Sequence, residues 1–190
     1  NKTMKNSYIY VFFLISLVGC SKAIAPVDSA LDQQILHFGN GSEPQGLDPH
    51  IVTGVPEHHL LIAMCEGLTI ANPKGGENLP GVAKSWTISP DGKTYTFYLQ
   101  EDAKWSNGDQ LTASDFVWSW MRILTPSLGS QYPDMLYYVK GAPEYHQGLT
   151  DDFSSVGVRA VNDYELKVEL TNATPFFIKL LSHYSTYPVH

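Results

Sequence analysis

The chain has 190 residues, of which 43% are hydrophobic and 12% aromatic, so it can bury the core of about one domain. Its formal net charge is −7 at pH 7, and removal of a leader containing Lys2 and Lys5 would make it −9. Affinity for phosphate backbones needs clustered lysine and arginine, so this balance argues against a nucleic-acid partner.

The first predicted element is an export signal over residues 1–19. Lys2 and Lys5 form its basic region, and residues 8–18 form a short apolar core. That run is too short to span a bilayer comfortably, and no second hydrophobic segment follows it. The pattern predicts a cleaved signal peptide rather than a transmembrane anchor.

Residues 17–20, Leu-Val-Gly-Cys, resemble a bacterial lipobox. In such leaders the peptide bond before the cysteine is cut and the thiol is lipidated. The resemblance implies that Cys20 tethers the protein to a membrane surface. The alternative is an ordinary signal peptide that ends in cysteine. Small and polar residues follow, so residues 20–33 are predicted to be a flexible, lipid-anchored linker.

Residues 34–38 alternate in polarity and predict a strand. Pro56 is placed at the first turn of a predicted helix that runs to about Glu66. Apolar residues at helical spacing predict that one face of this helix is core: Leu60, Leu61, Met64 and Cys65. Cys65 is interpreted as a buried, unreactive thiol. With Cys20 lipidated, no internal disulfide is expected.

Three of the four tryptophans lie in residues 101–120. Within this stretch Thr112 is predicted to cap a helix, with Asp115 placed to reach back to the free amides. The apolar stripe of that helix comprises Phe116, Val117, Trp120, Met121 and Leu124. Trp118 lies off the stripe, one turn from Arg122, on which it can stack. The pattern favours packing rather than ligand contact for the tryptophans.

Two pairs of alternating runs predict β-hairpins. These are residues 85–89 and 94–99 around Pro90-Asp91-Gly92, and residues 156–161 and 165–170 around Asn162-Asp163. A short strand is predicted over residues 68–71, and further helices over residues 134–146, interrupted at Gly141, and 176–181. Strands, hairpins and helices alternate without regular βαβ spacing, which indicates a mixed α/β fold.

Five segments follow one another with short spacers: GSEPQGLDPH, GVPEHHLLIAMCEGL, LPGVAKSW, DGKTYTFYLQEDAKWSNGDQLTASDFVWSW and NDYELKVEL. In this order they resemble the amino-terminal third of the oligopeptide-binding proteins. These are peptide-type solute-binding lipoproteins of bacterial ABC importers (extracellular solute-binding family 5). The resemblance covers residues 34–190 and is most specific over residues 102–120.

This resemblance implies a periplasmic-binding-protein-like (class II) architecture. Two lobes close on a peptide, and an α+β subdomain is inserted into the first lobe. Residues 34–65 would begin ligand-binding lobe I, and residues 66–187 would form the accessory subdomain. The remainder of lobe I and all of lobe II are then absent from the chain, so the fragment alone is not expected to enclose a ligand.

The family's ligand-contacting stretch aligns on Thr53, Gly54 and Val55. Pro56 biases Val55 towards an extended conformation, and Gly54 has no side chain to block a close backbone approach. Members often carry an acidic residue where this chain has Thr53, which argues against recognition of a ligand amino terminus there. Tyr132 aligns with a tyrosine that reaches the peptide in the family. Its alternative role is to cover a loop.

The implied function is the substrate-binding component of an ABC importer, without enzymatic activity, cofactor or metal. Its implied partners are short peptides, the ABC permease subunits of the inner or cytoplasmic membrane, and the lipid on Cys20. The protein is expected to be a monomer, exported to the periplasm or cell surface. A peptide would be held through its main chain, much as a strand adds to a sheet edge.

Other functions remain open at this point. Seven histidines raise the possibility of a metal-linked cargo, but His58 and His59 are adjacent and cannot form the i, i+4 pair of a helical zinc site. A receptor of the same family can also carry a nickel chelate, a haem chelate or a sugar. A carbohydrate-binding module would use exposed tryptophans. No motif of nucleophilic or phosphate chemistry indicates an enzyme.

Overall fold

The computed structural model of the chain describes Ala30 and residues 34–190, in two compact units divided between Asn40 and Gly41. The predicted signal peptide, Cys20 and most of the linker lie outside the described residues. The predicted strand at residues 34–38 is wrong, because residues 35–40 have no regular secondary structure. Alternation alone does not make a strand. No strand in the described part of the chain pairs with this segment, and Leu36 is 88% exposed.

The second unit contains four helices and six strands among its described residues. The helices are α1 (Val55–Met64), α2 (Ala113–Leu124), α3 (Ala142–His146) and α4 (Phe177–Leu180). The strands are β1 (Thr69–Ile70), β2 (Leu79–Pro80), β3 (Ala83–Ile88), β4 (Thr94–Leu99), β5 (Val158–Asn162) and β6 (Glu165–Glu169). Short 3₁₀ turns cover Pro126–Leu128, Pro133–Leu136, Phe153–Ser155 and Tyr184–Thr186. The mixed α/β class is confirmed.

A four-stranded antiparallel sheet in the order β3-β4-β6-β5 forms the centre of this unit. Both predicted hairpins are present in it, and Gly92 has the positive φ, 70°, that the first turn requires. Phe97 in β4 is fully buried and lies opposite Trp86 in β3 and Leu166 in β6. Helix α2 packs on β5 and β6, so the main core lies between this helix and the sheet.

The capped helix α2 forms as predicted. The carboxylate of Asp115 accepts a hydrogen bond from the backbone N–H of Thr112 at 2.6 Å. Trp120 is buried, and its indole N–H donates to the carbonyl of Thr186 at 3.1 Å, which confirms its packing role. Trp118 is 45% exposed. The stacking of Trp118 on Arg122 is not observed, because that guanidinium binds Asp48 instead.

The predicted core face of α1 is only partly correct. Leu61 is fully buried and packs with Tyr184 and Tyr187 in a second, smaller core. Met64 is 60% exposed, and Cys65 is exposed as well, so its assignment as a buried thiol is wrong. Helical spacing identifies an apolar face but not what covers it, and within residues 41–190 this end of α1 is left uncovered.

Candidate peptide-binding site

At the start of α1 the backbone adopts a conformation that favours glycine. Val55 is the first residue of α1, so the extended conformation expected for it from Pro56 is wrong. Gly54 is the N-cap residue of α1, with φ 122° and ψ 162°. A Cβ atom placed on it would lie 2.5 Å from the Oε2 of Glu57. Thr53, Gly54 and Val55 are all exposed. Among the described residues, no hydrogen-bond acceptor is found for their three backbone N–H groups, as is usual at a helix amino terminus.

Glu57 is a buried residue of α1 that binds the preceding loop. Its side chain is 3% exposed, and its Oε1 accepts a hydrogen bond from the backbone N–H of Gln45 at 2.8 Å. The carboxylate lies in the first turn of α1, where negative charge is favourable to the helix. The contact ties the first turn of α1 to the loop that precedes it.

Tyr132 packs against the second core, as does Val52, the residue before Thr53. It is half-buried and precedes the 3₁₀ turn at Pro133–Leu136. Its ring meets Tyr184 edge-on, with centroids 6.1 Å apart, and His183 edge-on, with centroids 5.1 Å apart. Such edge-to-face arrangements are preferred by aromatic pairs. Tyr132 therefore both packs against the second core and presents part of its side chain to solvent.

Tyr184 connects the two predicted contact regions. Its hydroxyl donates to the carbonyl of Val52 at 3.1 Å, one residue before Thr53. Burial raises the pKa of Tyr184 to about 12, and the neighbouring Tyr132 adds to the shift, so the phenol stays protonated and able to donate. Neither Tyr184 nor His183 was predicted from the sequence to belong to the site. The only signal was the density of aromatic residues in the last part of the chain.

Two histidines, His58 and His183, lie close to Tyr184. His58 lies 5.7 Å from Tyr184 and 6.5 Å from His183, measured between ring centroids. Burial lowers the pKa of His183, and His58 adds to this effect. Within the described part of the chain, no group of three or more His, Cys, Asp or Glu side chains is arranged to hold a metal ion.

An ion pair fastens the loop before the site to α2. Arg122 donates to both carboxylate oxygens of Asp48, at 3.0 and 2.6 Å. Burial alone would raise the pKa of Asp48, but the hydrogen bonds from Arg122 and from the His50 amide, with the guanidinium charge, outweigh it and lower the pKa. His50 is buried beside this ion pair. Its Nδ1 lies 2.9 Å from a guanidinium nitrogen of Arg122, and its Nε2 lies 3.0 Å from the carbonyl oxygen of Tyr187.

Since Arg122 can only donate and a carbonyl can only accept, this geometry assigns the proton of His50 to Nε2. Burial is the largest effect and lowers the pKa of His50 below its ordinary value. The hydrogen bond to the Tyr187 carbonyl opposes it, the Arg122 charge lowers the pKa further, and Asp48 raises it slightly. The neutral imidazole therefore belongs to the folded state. Sequence reasoning missed this network because its members are distant in the chain.

Among the described residues, no helix is both long and apolar enough to cross a bilayer. Three exposed residues with unpaired backbone N–H groups, Thr53–Val55, thus follow Val52, which the buried Tyr184 links to the half-buried Tyr132. Groups of this kind can hold an extended peptide main chain.

The chain is similar to known peptide-binding proteins. It is 40% identical over 191 residues to the periplasmic oligopeptide-binding protein OppA of Escherichia coli K12, a match that covers 97% of this chain and 35% of the relative. The crystal structure of Haemophilus influenzae OppA in complex with RPPGFSPFR superposes with a TM-score of 0.75 at 40% identity. That superposition covers 80% of this chain and 29% of the solved chain.

The substrate-binding domain of an oligopeptide ABC transporter from Bacillus anthracis Ames superposes with a TM-score of 0.73 at 38% identity, over 78% of this chain and 29% of that one. The chain therefore spans about a third of the length of the relatives that it matches. The sequence model of the bacterial extracellular solute-binding proteins, family 5 (middle region), matches residues 78–190, more than half of the chain. The chain belongs to the family 5 bacterial extracellular solute-binding proteins.

Proposed function

We propose that the full-length protein is the substrate-binding component of an ABC importer, which captures short peptides through their main chain and delivers them to a membrane permease. The observation that carries this proposal is the exposed stretch of unpaired N–H groups at Thr53, Gly54 and Val55, which Tyr184 links through Val52 to Tyr132. It occurs in a chain whose relative was crystallised with the peptide RPPGFSPFR.

The proposed mechanism is binding without chemistry. An extended peptide offers carbonyl acceptors at every residue, so donors aimed at its main chain are useful whatever its sequence. The absent side chain of Gly54 lets the peptide backbone approach. Tyr132 provides an aromatic surface and a hydroxyl next to the peptide. Because these contacts do not involve the side chains of the peptide, little preference for peptide sequence is expected.

The organisation of the full-length protein is part of the same proposal. Residues 34–65 begin ligand-binding lobe I, residues 66–187 form the accessory subdomain, and the second lobe lies outside this chain. Lipid on Cys20 anchors the protein, a monomer, to a membrane, in the periplasm or at the cell surface. Relatives that carry the name periplasmic support this placement.

Affinities of the full-length gene product for a pool of short random peptides test the proposal. Many members are expected to bind with similar affinity, and none should be hydrolysed after prolonged incubation. Nickel and haem chelates and oligosaccharides are titrated in parallel, the sugars by quenching of tryptophan fluorescence. Tight binding of one of these solutes, with no peptide bound, would overturn the proposal.

A further inference from the structure

Tyr184 is a buried side chain that contacts both Tyr132 and the backbone of Val52, the residue before Thr53. Its hydroxyl donates to the carbonyl of Val52, and its ring lies edge-on to Tyr132. The same ring is stacked on His183, with 4.4 Å between the centroids of Tyr184 and His183. It is only 2% exposed, so it has almost no surface to offer a ligand. Any effect of Tyr184 on binding must therefore act through its neighbours.

We propose that Tyr184 is a positioning residue for the peptide site. Its hydroxyl fixes the backbone immediately before Thr53, and its ring fixes Tyr132, so that the unpaired N–H groups and the phenol keep one relative arrangement before a peptide arrives. The inference rests on the proposed function. It adds a buried residue that neither the family stretch at Thr53–Val55 nor the aligned Tyr132 contains.

The energetic reason is preorganisation. Loop residues that are ordered only when a ligand binds lose conformational freedom at that moment, which weakens binding. Residues 53–55 are exposed and form no hydrogen bonds through their own N–H groups within the described chain. Their order depends on the anchors at either side, namely the Val52 carbonyl bond and the first turn of α1.

The test compares Tyr184→Phe with Tyr95→Phe in the full-length gene product. Tyr95 is also 2% exposed, and its hydroxyl also donates to a backbone carbonyl, that of Thr174 at 3.2 Å, but it lies in the main core. Each substitution removes one hydroxyl and keeps the ring, so similar losses of stability are expected. Only Tyr184→Phe removes a bond to the binding segment.

Affinity is measured for the peptide that the wild type binds most tightly in the random pool, at a temperature where all variants are folded. Tyr184→Phe is expected to weaken binding about five- to twenty-fold, and Tyr95→Phe to leave it unchanged. Backbone NMR order parameters of residues 53–55 in the unliganded protein should be lower in Tyr184→Phe alone.

Two outcomes count against this account, and they are distinguishable. If the wild type binds peptides and the two variants bind equally well, the positioning role is refuted while the proposed function stands. If the wild type binds no peptide, the proposed function fails and the inference fails with it.

Discussion

Gly54 combines a positive φ, which favours glycine, with a proposed role in peptide binding. Substitution by valine introduces a Cβ at a φ of 122° and within 2.5 Å of the Glu57 carboxylate. Gly54→Val is therefore expected to lower stability, by about 1–3 kcal/mol for the strained φ alone, and to weaken peptide binding by blocking the main chain. Denaturant unfolding and peptide titration of the full-length protein measure the two effects.

Gly108→Val provides the matched control, since Gly108 also has a positive φ, 95°, but open space around its Cβ position. It should lose stability through strain and keep its peptide affinity. If Gly54→Val binds peptides as tightly as this control, Gly54 does not contact the ligand.

His50 leads to a prediction about pH. Its pKa is lowered in the folded state from an ordinary value of 6.5, so the unfolded chain binds more protons in the interval between the two values. The free energy of unfolding must then rise with pH in that interval, and this part of the stability is lost as pH falls below 6.5. His50→Gln should flatten the profile between about pH 7 and pH 5, as measured by denaturant unfolding.

The exposed His59→Gln serves as a control for the removal of an imidazole from the same region. A profile that is equally flat in this control and in His50→Gln would contradict the assigned role of His50. The Asp48 carboxylate adds an effect at lower pH. Its pKa is lowered, so its contribution is present above its ordinary value of 3.8 and is lost as pH falls through the folded value.

At the scale of elements, α2 separates two tryptophans that the sequence places two residues apart. Trp120 is 1% exposed and packs on the sheet, whereas Trp118 is 45% exposed. Trp120→Ala is expected to lower the free energy of unfolding by about 3–5 kcal/mol, as for other buried aromatic residues. Trp118→Ala should cost less than about 1 kcal/mol. A Trp120→Ala variant that keeps its melting temperature but loses peptide binding would contradict the packing role.

Local chemistry explains which elements were predictable. The two hairpins depend on turn residues such as Gly92, and the start of α2 depends on Thr112 and Asp115, three residues apart. The assignment of residues 53–55 to the ligand rests on the family resemblance instead, and it stays a prediction. By contrast, the contact between Tyr184 and Val52 spans 132 positions in the chain, and no periodicity encodes such a distance.

At the scale of the whole molecule, the described chain leaves apolar surface uncovered. Ile62, Met64 and Cys65 at the end of α1 line a groove together with Trp105 and Val189. Ile62 is 45% and Met64 60% exposed, which is unusual for neighbouring apolar side chains on one surface. The helical pattern predicted Met64 and Cys65 to be core, which is wrong within the described chain, and what covers them cannot be deduced from these residues. Relatives about three times as long have the chain length to supply a cover.

The central claim is that the backbone N–H groups of Thr53–Val55, at the start of α1, bind the main chain of the peptide ligand. A crystal structure of the full-length gene product with a peptide bound tests it most directly. The account predicts peptide carbonyl oxygens within about 3 Å of the backbone nitrogens of Thr53–Val55, with Tyr132 alongside. A bound peptide that lies far from Gly54 and Val55 would contradict it.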